Sequence, residues 1–511
     1  MSFGLLVLAS CQLFSGVTDL VVDPVDASSS TTGDGPAMFD AADEAEMDAA
    51  TGEAGADAQS DADAALPPAP LTLIIDAVAG GTVASVSINN VVVCATACKD
   101  TLKFMVPSGV DVDVKVVAGA GSDTHFQSPF TCKKTGNVCT TRVDGSGGTV
   151  RVRTVAANYV FVTKAKFTGN LGGVAGADIK CNAAATAAGL PGTYVAWISD
   201  SLTTASDRLG TGRGFVRVDG LPFADTVQGT AALDLVEGRV FYPITVTEEG
   251  IALVALPSAT PSTEFVYTGT NAAGAYAGSS CTNWTSGAPA MFGGAGSPFA
   301  GSVAWTNLGT TPECNTSGHL YCFRKDRNVT VKPPVRPAVS RIAFVSKPFL
   351  MGAGGISDAD LQCSTEATAA ALPGTYKAFL ATTTTAAPAA TRFDLAAAKG
   401  GWYRADDMPV FPTPAALGTD ALLPTGPLTQ RADGTYIDES GAVSIEAWTG
   451  MNIKPNAVST SAAFSCTDWT NAAAGELATF GLAPFVNRLF TTTAIVGACS
   501  DPHRYLYCLQ Q

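Results

Sequence analysis

The chain has 511 residues, which is enough for about three domains that each bury a hydrophobic core. Its formal net charge is -15, but thirteen Asp and Glu lie between Asp19 and Asp63, and subtracting them leaves about -2 for the rest. Because the remainder is nearly neutral and has no cluster of Lys or Arg, we exclude nucleic-acid binding.

The N-terminus is an apolar run, MSFGLLVLASCQL. Its segment Leu8-Ala9-Ser10-Cys11 resembles the lipobox of bacterial lipoproteins, which implies cleavage before Cys11 and acylation of its thiol. A secretory signal opens with positive charge, and none is present here, so we expect translation to start upstream of Met1. The alternative is a short hydrophobic N-terminus with a chance cysteine.

A polar segment follows the predicted signal and lipobox at residues 1–11. Residues 12–70 are mainly Ala, Asp, Glu, Ser, Gly and Thr, with too few large apolar side chains to offset the entropy of ordering. We predict a disordered acidic tether. No later stretch has eighteen uninterrupted apolar residues, so a lipid on Cys11 would be the membrane anchor.

Twelve further cysteines fall into three sets of four. The last two sets have nearly the same spacing, with intervals of 100, 33 and 8 residues in one and 103, 33 and 9 in the other, which indicates an internal duplication. Even sets in an exported chain indicate disulfides, and zinc ligation is an alternative only for the first set, near His125. The sets are Cys94, Cys98, Cys132, Cys139; Cys181, Cys281, Cys314, Cys322; and Cys363, Cys466, Cys499, Cys508.

The first set lies in a predicted small β-domain, residues 71–156. The segments VDVDVKVV from Val110 and TVRVRTV from Thr149 alternate valine with polar residues, as half-buried strands do. The layout is similar to the small β-repeats of bacterial surface proteins related to the internalin B-repeat. That resemblance implies a spacer or an adhesive module.

The first cysteine of each later set lies on a predicted helix, and the segment Leu-Pro-Gly-Thr-Tyr follows that helix in both copies. In the first copy Asp178 is expected in the first helical turn, and Gly189 supplies a left-handed stop. In the second copy Ser357 is the predicted N-cap. There Ala371 replaces Gly189, and we expect the left-handed cap to be lost.

Further motifs occur in both copies. GFVRVDGLP matches GWYRADDMP, CTNWT matches CTDWT, and LYC lies near both ends. Together these motifs resemble endostatin, a variant of the C-type lectin-like fold. The resemblance implies an α+β protein with two tandem endostatin-like domains, at 157–327 and 341–511, joined by a linker at 328–340, after the small all-β domain and the disordered acidic tether.

The resemblance also implies nested disulfides within each domain, the first cysteine with the fourth and the second with the third. The spacing alone allows three connectivities per set. The zinc-binding histidines and the arginine-rich heparin face of endostatin have no counterpart here, and the tripeptides of calcium-dependent lectins do not occur. The implied pairs are Cys181–Cys322, Cys281–Cys314, Cys363–Cys508 and Cys466–Cys499, with Cys94–Cys98 and Cys132–Cys139 expected in the small domain.

Candidate chemistry is sparse. The histidines are His125, His319 and His503, and the last two do not occupy equivalent positions, so a duplicated catalytic site is not expected. A hydrolase with paired carboxylates remains an alternative, because Asp219 and Asp406 align beside Arg217 and Arg404. We interpret these pairs as structural. We likewise interpret Trp284 and Trp469 as core aromatics, with sugar platforms as the alternative.

The sequence therefore predicts an exported, lipid-anchored binding or adhesion protein of the cell envelope, at the outer membrane or cell surface. Its ligand would be a glycan or a protein, bound without a metal or cofactor, and we do not expect an enzyme. An envelope structural protein and a hydrolase are the alternatives. We expect any ligand to contact the irregular segments 270–312 and 452–496, because recognition tends to lie on loops.

Overall fold

The structure is a computed structural model that describes eleven segments of the chain. The predicted lipidation site Cys11, the predicted signal and nearly all of the predicted tether lie outside the described residues. These are 67–96, 98–127, 132–227, 240–253, 264–382, 389–396, 400–418, 423–437, 445–451, 464–493 and 495–511.

The N-terminal described part is a sandwich of two β-sheets, built on the alternation that the sequence shows. Val112, Val114 and Val116 lie in its core while the polar residues between them are outside it, so burial follows the period of two. Its nine strands are β1 Ala69–Val78, β2 Val83–Ile88, β3 Val91–Cys94, β4 Asp100–Val106, β5 Val110–Ala118, β6 Asp123–Phe126, β7 Lys133–Thr135, β8 Val138–Val143 and β9 Gly148–Val155.

One sheet of the sandwich has the order β4-β1-β9-β6 and the other has the order β3-β2-β5-β8-β7. Strands β1 and β9 are parallel, and the other pairs are antiparallel. The end of β9 leads directly into the next domain, because Val155 and Ala157 are fully buried in the hydrophobic core of the first repeat. The sandwich and the first repeat therefore pack continuously.

The first repeat surrounds a five-stranded sheet of order β11-β16-β10-β12-β13, beside a small β14-β15 pair. Its first strand, β10, runs parallel to β12 and antiparallel to the last strand, β16. Its elements are β10 Asn158–Val162, α1 Gly173–Ala188, β11 Tyr194–Ala196, α2 Ala205–Leu209, β12 Arg213–Arg217, β13 Pro222–Thr226, β14 Val266–Tyr267, α3 Cys281–Trp284, β15 Ala295–Gly296 and β16 Tyr321–Arg324.

The second repeat has the same pairing pattern. Its first strand, β17, runs parallel to β19 and antiparallel to the last strand, β24, which β18 also joins. Its elements are β17 Arg341–Val345, α4 Ile356–Ala369, β18 Tyr376–Ala378, β19 Trp402–Tyr403, β20 Pro409–Phe411, α5 Pro414–Gly418, β21 Glu446–Trp448, α6 Cys466–Trp469, β22 Leu477–Leu482, β23 Val496–Ala498 and β24 Tyr505–Gln510. The described chain is thus mainly β-sheet with few helices, as in an α+β protein.

Two expectations for the helix starts were wrong. Helix α1 begins at Gly173, so Asp178 lies in its second turn, where its carboxylate accepts a hydrogen bond from the backbone of β11 (2.8 Å) and pairs with Arg208. Helix α4 follows Gly355, and Ser357 lies inside it. Asp178 therefore joins helix to strand instead of complementing the helix dipole.

The end of α4 also differs from the expectation. Ala371 keeps the left-handed conformation, with a φ of 55°, close to the 64° of Gly189 in the first repeat. The amide of Leu372 donates to the Ala367 carbonyl oxygen at 2.9 Å, which closes the same turn. The left-handed cap is retained, and an alanine side chain carries its strain.

The shared Cys-Thr-Asn/Asp-Trp motifs form an uncommon turn. Four consecutive residues have positive φ, between 49° and 63° in residues 281–284 and between 51° and 72° in residues 466–469. Left-handed backbone costs about 1–2 kcal/mol per non-glycine residue, so each turn needs external support. That support comes from the disulfide of its cysteine and the buried ring of its tryptophan.

The predicted linker 328–340 is not free along its whole length. Val331 is buried in the core of the first repeat, and its amide donates to Asp225 at 2.8 Å. Packing of the first repeat therefore continues to Val331, beyond the expected end at residue 327.

Candidate binding site between the sandwich and the first repeat

The sandwich contacts the first repeat at the C-terminal end of helix α1. Lys134, at the edge of the sandwich, donates to the Ala188 carbonyl oxygen at 3.0 Å, which places a positive charge at the negative end of the helix dipole. Asp123 pairs with Arg324 at 2.7 Å and also contacts Arg327. These charged contacts fix the relative position of the two parts at this point.

A buried histidine lies at the same junction. The Nδ1 of His125 is 3.0 Å from the Tyr159 hydroxyl, and the two rings meet edge to face at 5.1 Å. Burial, reinforced by the nearby charges of Arg153 and Lys134, lowers the pKa of His125 to about 3. Burial also raises the pKa of Tyr159 well above its usual value. At neutral pH both rings are therefore uncharged.

A cavity of about 340 Å³ opens between the sandwich and the first repeat. The sandwich supplies one wall with two arginines, and the first repeat supplies the opposite wall with three carboxylates. Apolar side chains lie between them. The lining is His125, Phe126, Gln127, Arg151 and Arg153 from the sandwich, and Ala188, Leu190, Val218, Asp219, Glu248, Glu249 and Gly250 from the repeat.

Some of the charges in this lining are already neutralised by neighbours. Arg153 donates to Asp76 at 2.8 and 2.5 Å and to the backbone of Val218. Asp219 pairs with Arg217, and Glu249 pairs with Lys164 at 3.1 Å. These groups build the walls.

Three other polar groups keep unused hydrogen-bonding capacity. Glu248 is 8% exposed, and one of its oxygens accepts from the Lys164 amide at 2.8 Å. Among the described residues, the other oxygen of Glu248 has no hydrogen-bond partner, and no cation pairs with its carboxylate. The Arg151 guanidinium has no partner among them either. His125 is 6% exposed, and its Nε2 has no partner among the described residues. The two residues are largely buried, but their unpartnered atoms are open to the cavity, which indicates a place for a ligand or water.

The second repeat lacks this combination. Ala432 occupies the position that corresponds to Glu248, and the hydroxyl of Tyr436 contacts Asp406. A wider cavity of about 660 Å³ lies on the corresponding face, between Leu372 and the linker around Arg336. Of these two cavities, the sandwich lines the one beside the first repeat.

The arginine–aspartate pairs singled out in the sequence are ion pairs inside hairpins. Arg217 Nε lies 3.0 Å from Asp219, and Arg404 Nε lies 3.0 Å from Asp406. Each guanidinium also donates to a proline carbonyl oxygen at 2.8 Å, which ties the hairpin to the following segment. The geometry is that of structural pairs, and Asp219 additionally lines the cavity.

The two tryptophans of the shared motifs are fully buried. Trp284 Nε1 donates to the Ser199 carbonyl oxygen and Trp469 Nε1 to that of Ala381, both at 2.8 Å. Neither ring presents a face to solvent, so the alternative of sugar platforms is wrong and the interpretation as core aromatics holds.

The other two histidines, His319 and His503, have different surroundings. His319 is 2% exposed and contacts the Thr163 carbonyl oxygen and the Glu264 carboxylate, which Lys166 also approaches at 2.7 Å. His503 is exposed beside Asp501. Within the described residues, no group of three or more His, Cys, Asp or Glu is placed to hold a metal ion.

All twelve cysteines of the three sets form disulfides. In each repeat the first pairs with the fourth and the second with the third, which is the nested order that the resemblance implies. Such a content of disulfides is typical of proteins in an extracellular or envelope compartment. The pairs are Cys94–Cys98, Cys132–Cys139, Cys181–Cys322, Cys281–Cys314, Cys363–Cys508 and Cys466–Cys499. No helix in the described part of the chain is long and apolar enough to cross a membrane.

The segments expected to carry ligand contacts contain both buried and exposed stretches. Residues around Phe299 and Phe485, both under 5% exposed, pair the two repeats with each other. Residues 452–463 and 494 of the second segment lie outside the described residues. The parts of both segments that pair the repeats are closed to a ligand, other parts such as Met291 and Phe292 are exposed, and contact of a ligand with these segments stays a prediction.

Sequence analysis missed Glu248 and Arg151. The one available signal was a difference between the two repeats. Glu248 lies in the turn TEEG, and the corresponding turn of the second repeat is RADG, which has Ala432 at the position of Glu248. Arg151 lies on an ordinary strand face and gave no signal. A comparison with models of known protein families and a search of curated proteins both found no match.

Proposed function

We propose that this chain is an exported binding protein that holds its ligand in the cavity between the sandwich and the first repeat. The observation that carries the proposal is the presence of two buried polar groups, on His125 and Glu248, with open positions in one cavity. Ligand sites occur preferentially at domain interfaces, and this cavity lies at one. Hydrolysis is not favoured by any pair of groups described above.

The size of the cavity limits what can enter it. Small-molecule sites span roughly 300–1,000 Å³, so about 340 Å³ accommodates a small molecule or the terminal unit of a glycan or a protein. The binding groups are side chains, and the proposal includes neither a metal nor a cofactor. The two repeats are proposed to be endostatin-like scaffolds that support this site, which the shared order of their strand pairing supports.

Anchoring completes the proposal. An acylated Cys11 followed by an acidic tether would hold the folded part at the outer membrane or cell surface. Labelling with a radioactive fatty acid tests the anchor. We expect label in the parent and none in Cys11→Ala, and equal labelling of both would contradict it.

The binding proposal is tested with a panel of mono- and disaccharides, amino acids and short peptides, scored by the shift in melting temperature, with and without EDTA. We expect at least one compound to raise the melting temperature in both conditions, as ligands that bind the folded state do. Glu249→Trp, which fills the cavity, should abolish the shift. Asp433→Trp, at the corresponding position of the second repeat, is the matched control and should keep it.

An envelope structural protein is the competing proposal. Silence across the panel, or shifts that Glu249→Trp leaves unchanged, would favour it over ligand binding in the cavity.

A further inference from the structure

We infer that the cavity takes a small zwitterion, a molecule with one ammonium and one carboxylate group such as a free amino acid or a dipeptide. This inference rests on the proposed function and narrows it to one class of ligand. It follows from three groups that the surrounding protein leaves without partners.

Glu248 is the site for the ammonium group. Removing an ionised carboxylate from water is costly unless a cation or hydrogen bonds replace the lost solvation. Among the described residues only one backbone amide does so, since the nearby Lys164 ammonium pairs with Glu249 instead, and the other oxygen of Glu248 is open to the cavity. An ammonium donates up to three hydrogen bonds and would supply both the missing charge and the missing donors.

Arg151 is the site for the carboxylate group. Its guanidinium lines the same cavity from the sandwich side and has no partner among the described residues. Arginine binds carboxylates through two parallel hydrogen bonds, which fixes orientation as well as charge. Arg153 cannot serve in its place, because Asp76 and the Val218 backbone occupy its donors.

His125 adds a directional contact without adding charge. With its pKa lowered to about 3, the ring is neutral. When Nδ1 accepts from the Tyr159 hydroxyl, the ring proton lies on Nε2, which can donate to the ligand carboxylate. Phe126, Leu190 and Val218 form the apolar part of the lining and fit an aliphatic side chain.

Within the described residues, the second repeat offers no equivalent of this site. It has Ala432 in place of Glu248, and the arginine that the linker places beside its cavity, Arg336, pairs with Asp407 at 3.4 Å. The second cavity therefore lacks the corresponding carboxylate, and its arginine is already neutralised.

The test is calorimetric titration of the full chain with L-leucine, leucinol and 4-methylpentanoate. Leucinol lacks the carboxylate and 4-methylpentanoate lacks the ammonium. We expect one leucine site per chain, at least tenfold weaker binding of either analogue, and at least tenfold weaker leucine binding in Glu248→Gln and in Arg151→Gln. Arg142→Gln, an exposed arginine of the sandwich outside the cavity, should bind leucine as the parent does.

The outcomes separate this inference from the proposed function. If a neutral saccharide binds in the cavity and leucine does not, the site exists and the zwitterion assignment is overturned. If leucine binds equally in the parent, Glu248→Gln and Arg151→Gln, the assignment of these residues is wrong. If no compound of any class binds, both proposals fail.

Discussion

The carbonyl oxygen of Phe299 accepts a hydrogen bond from the amide of Val486 at 2.8 Å. The exchange is reciprocal, since the Gly301 amide donates to the Pro484 carbonyl oxygen, also at 2.8 Å. Both strands of this contact contain a Pro-Phe dipeptide at corresponding positions of the two repeats, ending at Phe299 and Phe485. The same segment therefore pairs with its own counterpart, as in an isologous interface between two identical subunits.

This contact predicts the effect of Phe485→Ala. The side chain is 3% exposed and packs against Ala300 and Ala304 of the first repeat, so its removal should lower the free energy of unfolding by about 3–5 kcal/mol. Hydrogen exchange should show faster exchange of the Gly301 amide. Val335→Ala, at a side chain that is 90% exposed, should leave both quantities unchanged. Undiminished protection of Gly301 in Phe485→Ala would contradict the proposed role of this contact.

The strained cap of α4 predicts a stabilising substitution. Ala371→Gly removes the cost of a left-handed alanine and should raise the free energy of unfolding by about 1 kcal/mol. The neighbouring Ala370 has a φ of -90°, so Ala370→Gly should lower stability by about 0.5–1 kcal/mol. Thermal unfolding of both variants measures the difference, and a loss of stability in Ala371→Gly would refute the left-handed assignment.

The buried ion pair of the second repeat predicts a pH-dependent loss. Burial opposes ionisation of Asp406, but the Arg404 charge and the Tyr436 hydroxyl outweigh it and hold the pKa of the carboxyl below its usual value. A lowered pKa stabilises the fold above about pH 4, and this gain disappears as the pH falls through the pKa of the folded state.

Asp406→Asn should therefore cost about 3 kcal/mol at pH 7, because Arg404 is left buried without its counter-charge. The difference from the parent should shrink below pH 4 in urea unfolding curves measured from pH 7 to pH 2. Asp219→Asn is the control from the first repeat, where Ala252 stands in place of the tyrosine, and a smaller cost is expected. A cost for Asp406→Asn that does not vary with pH would argue against the ion pair as its origin.

The disulfides predict unequal costs of removal. The Cys181–Cys322 bond joins residues 141 apart, and the Cys132–Cys139 bond joins residues 7 apart. In the chain-entropy model the first contributes about 5 kcal/mol and the second about 2 kcal/mol. Differential scanning calorimetry of the two double Cys→Ser variants should show the larger drop in melting temperature for the first. Peptide mapping without reductant should link Cys181 to Cys322, and a link to Cys281 would disprove the nested order.

Local patterns in the sequence determined the features that depend on neighbouring residues. Alternation around Val112 predicted a strand with one buried face, because side chains of a strand point to opposite sides in turn. The helix around Cys181 and the nearly equal spacing of the last two cysteine sets could also be read from the sequence, because both are patterns along the chain. The helix starts were misjudged, because Asp and Ser are common both at helix starts and within the first turns, and the sequence does not show at which residue each helix begins.

The tertiary structure alone decided what the charged residues do. Glu248 and Arg151 are distant in sequence and lie on different domains, and no local period relates them. They line one cavity because β9 leads into the first repeat and Lys134 holds the sandwich against the end of α1. Burial likewise decided that Trp284 is a core residue, since a tryptophan at this place in the sequence suited a core aromatic and a sugar platform equally well. Sequence records the preferences of each segment, whereas the partners of a charge or a ring are set by which segments meet when the chain buries its apolar surface.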